Sequence, residues 1–162
     1  MSKFVQFASS LAIFFLIPAM AALADAVVKV SLIDKVGELD LSKSMGLGMG
    51  MNGDLKTAGM GINVSPKVVP RGNVRFNVTN LASQFVHEVI IARVADENQI
   101  LAYDAAKNKV DEETIKTLGE VAEIEPNKTA SVALELKPGK YILYCNLPGH
   151  YMAGMWAVIE VR

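Results

Sequence analysis

Apolar and polar residues alternate along much of this chain with the period of two that marks a half-buried strand. The pattern predicts strands over residues 27–33, 61–64, 74–80 and 129–136, the last with Ala130, Val132, Leu134 and Leu136 on one face. A longer apolar run over 85–94, containing His87, reads as a buried strand, and 141–145 and 156–161 complete the set. Pro70-Arg71-Gly72-Asn73 and Pro138-Gly139 supply turns between them. Short strands split by Gly, Pro and Asn predict an all-β fold, an antiparallel Greek-key sandwich. Residues 95–128 break the rhythm. Charges are dense there, and 111–119 (Asp111-Glu112-Glu113 at the start, Gly119 at the end) read as one short helix with a glycine C-cap. That helix belongs to a long connection expected to cross from one sheet to the other.

The amino terminus has a different pattern. Lys3 precedes an apolar run from Phe4 to Ala22 that ends in the small residues Ala22-Leu23-Ala24. This is the layout of a secretory signal peptide, with cleavage after Ala24 and Ala24-Asp25-Ala26 as a second candidate. The run is short for a membrane span and Pro18 interrupts it, which speaks against an uncleaved anchor. The expectation is therefore a leader over 1–24, a single domain over 25–162, export to the periplasm, and no membrane association once the leader is gone.

Charge narrows the partners. The formal net charge is −1, and losing the leader removes one Lys and no acid, giving −2. Neither nucleic acid nor an anionic surface is suggested by that balance. Cysteine usage adds a puzzle, because the chain has only Cys145, which can form no internal disulfide. A lone thiol in an oxidising compartment needs protection or a purpose.

A purpose is visible in the spacing Cys145-x4-His150-x4-Met155. The strand ending at Cys145 and the strand starting at Trp156 bracket a ten-residue loop that Pro148-Gly149 can bend, turning three side chains toward one point. Thiolate, imidazole and thioether are soft or borderline donors that suit copper; zinc seldom takes a thioether. Two imidazoles, a thiolate and a weak thioether make a trigonal electron-transfer copper site. The second imidazole has a single source, because His87 is the only other histidine.

These residues resemble the cupredoxins, small blue-copper sandwich proteins such as plastocyanin, azurin and rusticyanin. The supporting motifs are Ile62-x-Val64-x-Pro66, then Gly72-x-Val74-x-Phe76-x-Val78-Thr79-Asn80, His87, and Pro138-Gly139-x-Tyr141 leading into the ligand loop. The resemblance covers about 59–94 and 129–162. It implies one type 1 copper held strongly by His87, Cys145 and His150, with Met155 as the long axial ligand and Met152 its rival. One departure is visible: plastocyanin and azurin place Asn after the upstream histidine, where it braces the ligand loop, and this chain has Glu88.

Function follows from counting. A multicopper oxidase or copper nitrite reductase needs further histidines for a second centre, a dinuclear copper site needs two cysteines, and a hydrolytic triad needs a spare base; none is available. A monomeric electron carrier is expected rather than an enzyme, meeting redox partner proteins transiently through apolar residues around the site (Phe85, Leu147, Pro148, Tyr151). The alternative is copper handling or tolerance with copper-handling partners, suggested by the Gly/Met-rich stretch 44–61. Its Met45, Met49, Met51 and Met60 offer thioethers for a secondary Cu(I) site, or else serve as apolar filler.

Overall fold

Alternation became strand wherever it was expected. A computed structural model describes residues 25–35 and 39–162; the leader expected over 1–24 lies outside the described residues. In chain order the strands are β1 (Ala26–Asp34), β2 (Met60–Ser65), β3 (Val68–Val69), β4 (Gly72–Asn80), β5 (His87–Val94), β6 (Tyr103–Asp104), β7 (Lys109–Val110), β8 (Thr117–Ile124), β9 (Thr129–Leu136), β10 (Gly139–Tyr144) and β11 (Trp156–Val161). Four of them form one sheet in the order β2-β1-β4-β9, five form the second in the order β3-β11-β10-β5-β8, and β6-β7 is a separate hairpin. Among the described residues the sandwich is nearly all-β, with helix confined to two 3-10 turns, and its sheets are mixed: β1 runs parallel to β4 and β11 parallel to β3. Among the described residues no helix is long and apolar enough to cross a membrane.

Inward positions of both sheets build the main core. Val28, Val30 and Leu32 of β1 and Val74, Phe76 and Val78 of β4 face Val89 and Ile91 of β5, Tyr141 and Leu143 of β10, and Ile159 and Val161 of β11. Fully burying one such side chain stabilises by about 1.5–3 kcal/mol. The five-stranded sheet is buried on its other face too. Ile90, Ala92 and Val94 of β5 with Ile142 and Tyr144 of β10 make a second apolar cluster with Met49, Leu101, Val110, Ile115, Tyr151 and Met152. Double burial explains why β5 reads as the unbroken run Val89-Ile90-Ile91-Ala92.

The helix expected over 111–119 does not form. Asp111 instead closes a turn, its Oδ1 accepting from Glu113 N and its carbonyl from Thr114 N, and β8 follows. The strand wins because β8 pairs with the edge of β5 (Ile90 with Glu120, Ile91 with Gly119), a tertiary partner that outweighs local propensity. Gly119 is no helix cap: a Cβ there would meet Leu134 Cδ2 of β9 at 2.6 Å, so glycine allows the sheets to approach. Crossing between the sheets falls to the short turn 125–128, where Lys128 N donates to Glu125 O and Asn127 N to Asn80 O.

Candidate metal centre

The loop between β10 and β11 starts with its base sewn shut. Cys145 N donates to Met155 O at 3.1 Å, extending the β10–β11 ladder by one pair. Above it the chain turns at Gly149 (φ 84°), where a Cβ would come within 2.5 Å of Leu41 O. A 3-10 turn, Tyr151–Ala153, follows and ends at Gly154 (φ 95°). His150 N donates to Leu147 O and Met155 N returns to His150 O, so the loop is ordered by its own backbone. Cys145 continues the inward face of β10, and His87 opens the neighbouring strand β5.

Three donors meet there. Nδ1 of His87 and Nδ1 of His150 face each other at 3.2 Å, and Cys145 Sγ lies 3.3 Å from the same His150 nitrogen. Ligand atoms of all three lie within 4.8 Å of one another, and all three residues are buried. Burial pushes the Cys145 thiol up to about 12, opposed by the backbone amides of Glu88 and Leu147, which favour the thiolate. It pushes both imidazoles down to about 4; at His87 the neighbouring His150 adds to the effect and the Asp34 carboxylate opposes it. Both rings are therefore neutral and ready to donate lone pairs at physiological pH, while the thiol must release a proton to bind a metal.

Those lowered values predict how the metal-free protein responds to acid. Unfolded histidines titrate near 6.5, so between about pH 6.5 and 4 the unfolded chain binds protons that the folded chain refuses. Stability then falls as pH falls through that window, with a slope approaching two protons. Urea titrations of metal-free protein across the window check this, and a flat profile would show that the rings accept protons in place.

The brace that Glu88 put in question is present, in altered form. Glu88 Oε1 accepts from Asn146 N at 2.9 Å, holding the residue after Cys145. Asn146 itself, 1% exposed, pairs its side chain with the Val110 backbone of β7 in both directions: Oδ1 accepts from Val110 N at 2.7 Å and Nδ2 donates to Val110 O at 3.0 Å. A third bond runs from Nδ2 to Glu112 Oε1 at 2.6 Å. Gly149 N donates to Asn108 O, and Asn108 Nδ2 to Leu41 O, so the β6–β7 hairpin is docked onto the ligand loop. Asn80, fully buried, does similar work on the His87 side: Nδ2 donates to Phe85 O and to Ile124 O, and Oδ1 accepts from Ala82 N. Sequence reading gave Asn80, Asn146 and Glu112 no part in the site, because polar residues beside turns look solvent-facing until a partner is seen.

Placement sorts the methionines. Met155, fully buried, lies in the same inner core as Cys145; Met152 lies in the outer cluster with Tyr144 and Tyr151, across the five-stranded sheet. Met49 and Met51 join that outer cluster, Met60 belongs to the inner core, and Met45 is 38% exposed, so the four thioethers of the Gly/Met-rich stretch do not share one cluster. The stretch acts as a cover instead. Leu47 N donates to Met152 O, Trp156 Nε1 to Leu47 O at 2.7 Å, and Met49 N to Tyr151 Oη at 2.9 Å. Tyr151 is consequently buried under this cover and drops out of the apolar face around the site, leaving Phe85 and Leu147 half-buried and Pro148 exposed.

Soft, buried, inward donors at the end of a two-sheet sandwich define a copper-binding β-sandwich, and the residues fit one type 1 copper. Sequence comparison agrees: residues 51–162 match the family of copper binding proteins typified by plastocyanin and azurin, and the chain belongs to that family. No curated protein matches the sequence. Among solved structures it is similar to dithionite-reduced auracyanin from the photosynthetic bacterium Roseiflexus castenholzii, with a TM-score of 0.50 and 17% identity over 87% of this chain and 99% of that one. Rusticyanin from Thiobacillus ferrooxidans gives a TM-score of 0.51 and 16% identity over 86% of this chain and 79% of that one. At such identities the likeness shows the fold.

Proposed function

We propose that the chain is an exported mononuclear copper protein that carries single electrons in the periplasm, without catalysing a reaction of its own. The observation that carries this reading is the buried trio His87, Cys145 and His150, which uses every histidine and cysteine of the chain in one site. Copper bound there supplies a one-electron couple between Cu(I) and Cu(II). The protein's share is to hold both imidazoles neutral, provide a thiolate, exclude water, and keep the loop fixed through Asn146 and Glu88. A donor set that does not rearrange between oxidation states lowers the reorganisation that electron transfer requires. Auracyanin and rusticyanin have each been solved in reduced form, which supports a redox role by analogy of fold. Phe85, Leu147 and Pro148 offer the apolar rim for a transient redox partner, and a monomer suffices for it. The leader-like pattern of residues 1–24 supports export. Copper handling draws less support, because Met49, Met51 and Met60 are spent on packing two different clusters.

Visible absorption and metal analysis test the reading together: one copper per chain and an intense thiolate-to-copper band are expected. A chain that stays colourless with Cu(II) added overturns it. Met155 is assigned as the axial thioether, a ligand known to tune the potential of such sites. Met155→Leu is expected to keep the band and to shift the couple toward Cu(I) by roughly tenfold, about 59 mV for one electron. An unchanged potential in spectroelectrochemical titration would remove Met155 from the ligand set.

A further inference from the structure

The chain from β4 to β5 delivers His87 through residues 81–86, which have no place in either sheet. Four consecutive backbone N–H groups in this link nevertheless all have protein acceptors. Leu81 N donates to Leu32 O at 2.8 Å and Ala82 N to Asn80 Oδ1 at 2.9 Å. Ser83 N and Gln84 N then donate to the two oxygens of one carboxylate, Asp34 at the end of β1, at 3.1 and 3.3 Å. Ser83 and Gln84 are exposed, so water would serve these amides equally well in its absence. The carboxylate ties down the exposed middle of the link, using charge-assisted hydrogen bonds that are stronger than neutral ones.

We propose that Asp34 is a positioning residue of the copper site, clamping the link that presents His87 and biasing the bound metal toward its oxidised form through its negative charge. The proposal rests on the copper reading above. Geometry supplies the first half: the clamp ends three residues before His87, and Asn80 holds the Phe85 carbonyl in between. Sign supplies the second. Hydrogen bonds from the Ser83 and Gln84 amides hold the Asp34 carboxylate against the link, three residues short of His87. A fixed negative charge near the metal site favours Cu(II) over Cu(I), because the oxidised ion carries one more positive charge. Asp34 is partly exposed, so water and salt screen the effect to a few-fold change.

Two variants separate the clamp from the charge. In copper-free protein, Asp34→Ala is expected to speed amide hydrogen exchange at Ser83 and Gln84 about tenfold or more. Asp34→Asn, which keeps one acceptor oxygen, should have a smaller effect. In copper-loaded protein, Asp34→Asn is expected to shift the Cu(II)/Cu(I) equilibrium toward Cu(I) by about threefold, roughly 28 mV at about 59 mV per tenfold, with the visible band unmoved. The shift should shrink as salt is added. Unchanged exchange in the alanine variant overturns the clamp, and an unchanged potential in the asparagine variant overturns the charge bias. A wild-type chain that takes up no copper would overturn the copper reading and the charge bias with it, while exchange in the copper-free protein would still decide the clamp.

Discussion

Cys145→Ser protein loaded with Cu(II) is expected to lack the intense visible band of the wild type and to hold copper about a hundredfold more weakly, or worse. The band belongs to charge transfer from a thiolate, and the chain has no second cysteine to replace Cys145. Serine is close in shape and its hydroxyl can donate to His150 Nδ1, the neighbour that lies 3.3 Å from the sulfur. The copper-free fold should therefore survive, and circular dichroism of the variant controls for it. His87 and His150 remain as nitrogen donors, so weak uptake with faint colour is the expected residue of binding. A variant that kept the intense band would place the metal elsewhere and remove the site described here.

Asn146→Ala is expected to be the costliest change that leaves all the metal donors in place. The substitution deletes three side-chain hydrogen bonds and strands the N–H and carbonyl of Val110, itself 3% exposed, beneath the ligand loop. Leaving a buried polar group unpaired costs about 1–3 kcal/mol, so two such groups put the loss at about 2–4 kcal/mol once some water entry is allowed for. Urea unfolding of the copper-free variant reads this as a lowered midpoint with an unchanged slope. Copper should also leave the variant faster, because the β6–β7 hairpin no longer pins the residue beside Cys145. An unchanged midpoint would mean that water replaces the amide without loss, and the hairpin would then be mere cover.

Strands were readable in the sequence where one face is polar. In β4, Val74, Phe76 and Val78 alternate with Arg75, Asn77 and Thr79, and the period alone shows which side is buried. β8 was not readable, because only Val121 and Ile124 are buried and its register against β5 shifts twice, so no period survives. Acids at 111–113 mimic a helix start for a similar reason: they favour a helix N-terminus but stabilise a turn equally well. The trio of His87, Cys145 and His150 was legible by arithmetic, since a chain with one cysteine and two histidines permits one such grouping. Their supports were not. Asn80, Asn146 and Asp34 each reach a partner 36 to 49 residues away, namely Ile124, Val110 and Ser83, and nothing local in the sequence marks those pairings. Methionine spacing left a metal-site reading and a filler reading open, and only the fold places Met49 and Met60 in packed cores.

The ligand loop has one more consequence, for the order of events as the chain folds. Its closing bonds come from Met155 just before β11, its flank from the β6–β7 hairpin, and its lid from the stretch around Leu47, pieces set far apart along the described chain. Contacts between residues so far apart in sequence form slowly, because each closes a long loop of disordered chain. Cys145 and His150 share one loop and meet early, yet His87 joins them only when β5 is seated beside β10. All three donors therefore face one another only in the folded chain, so full-strength copper binding requires the completed pairing of β5 with β10.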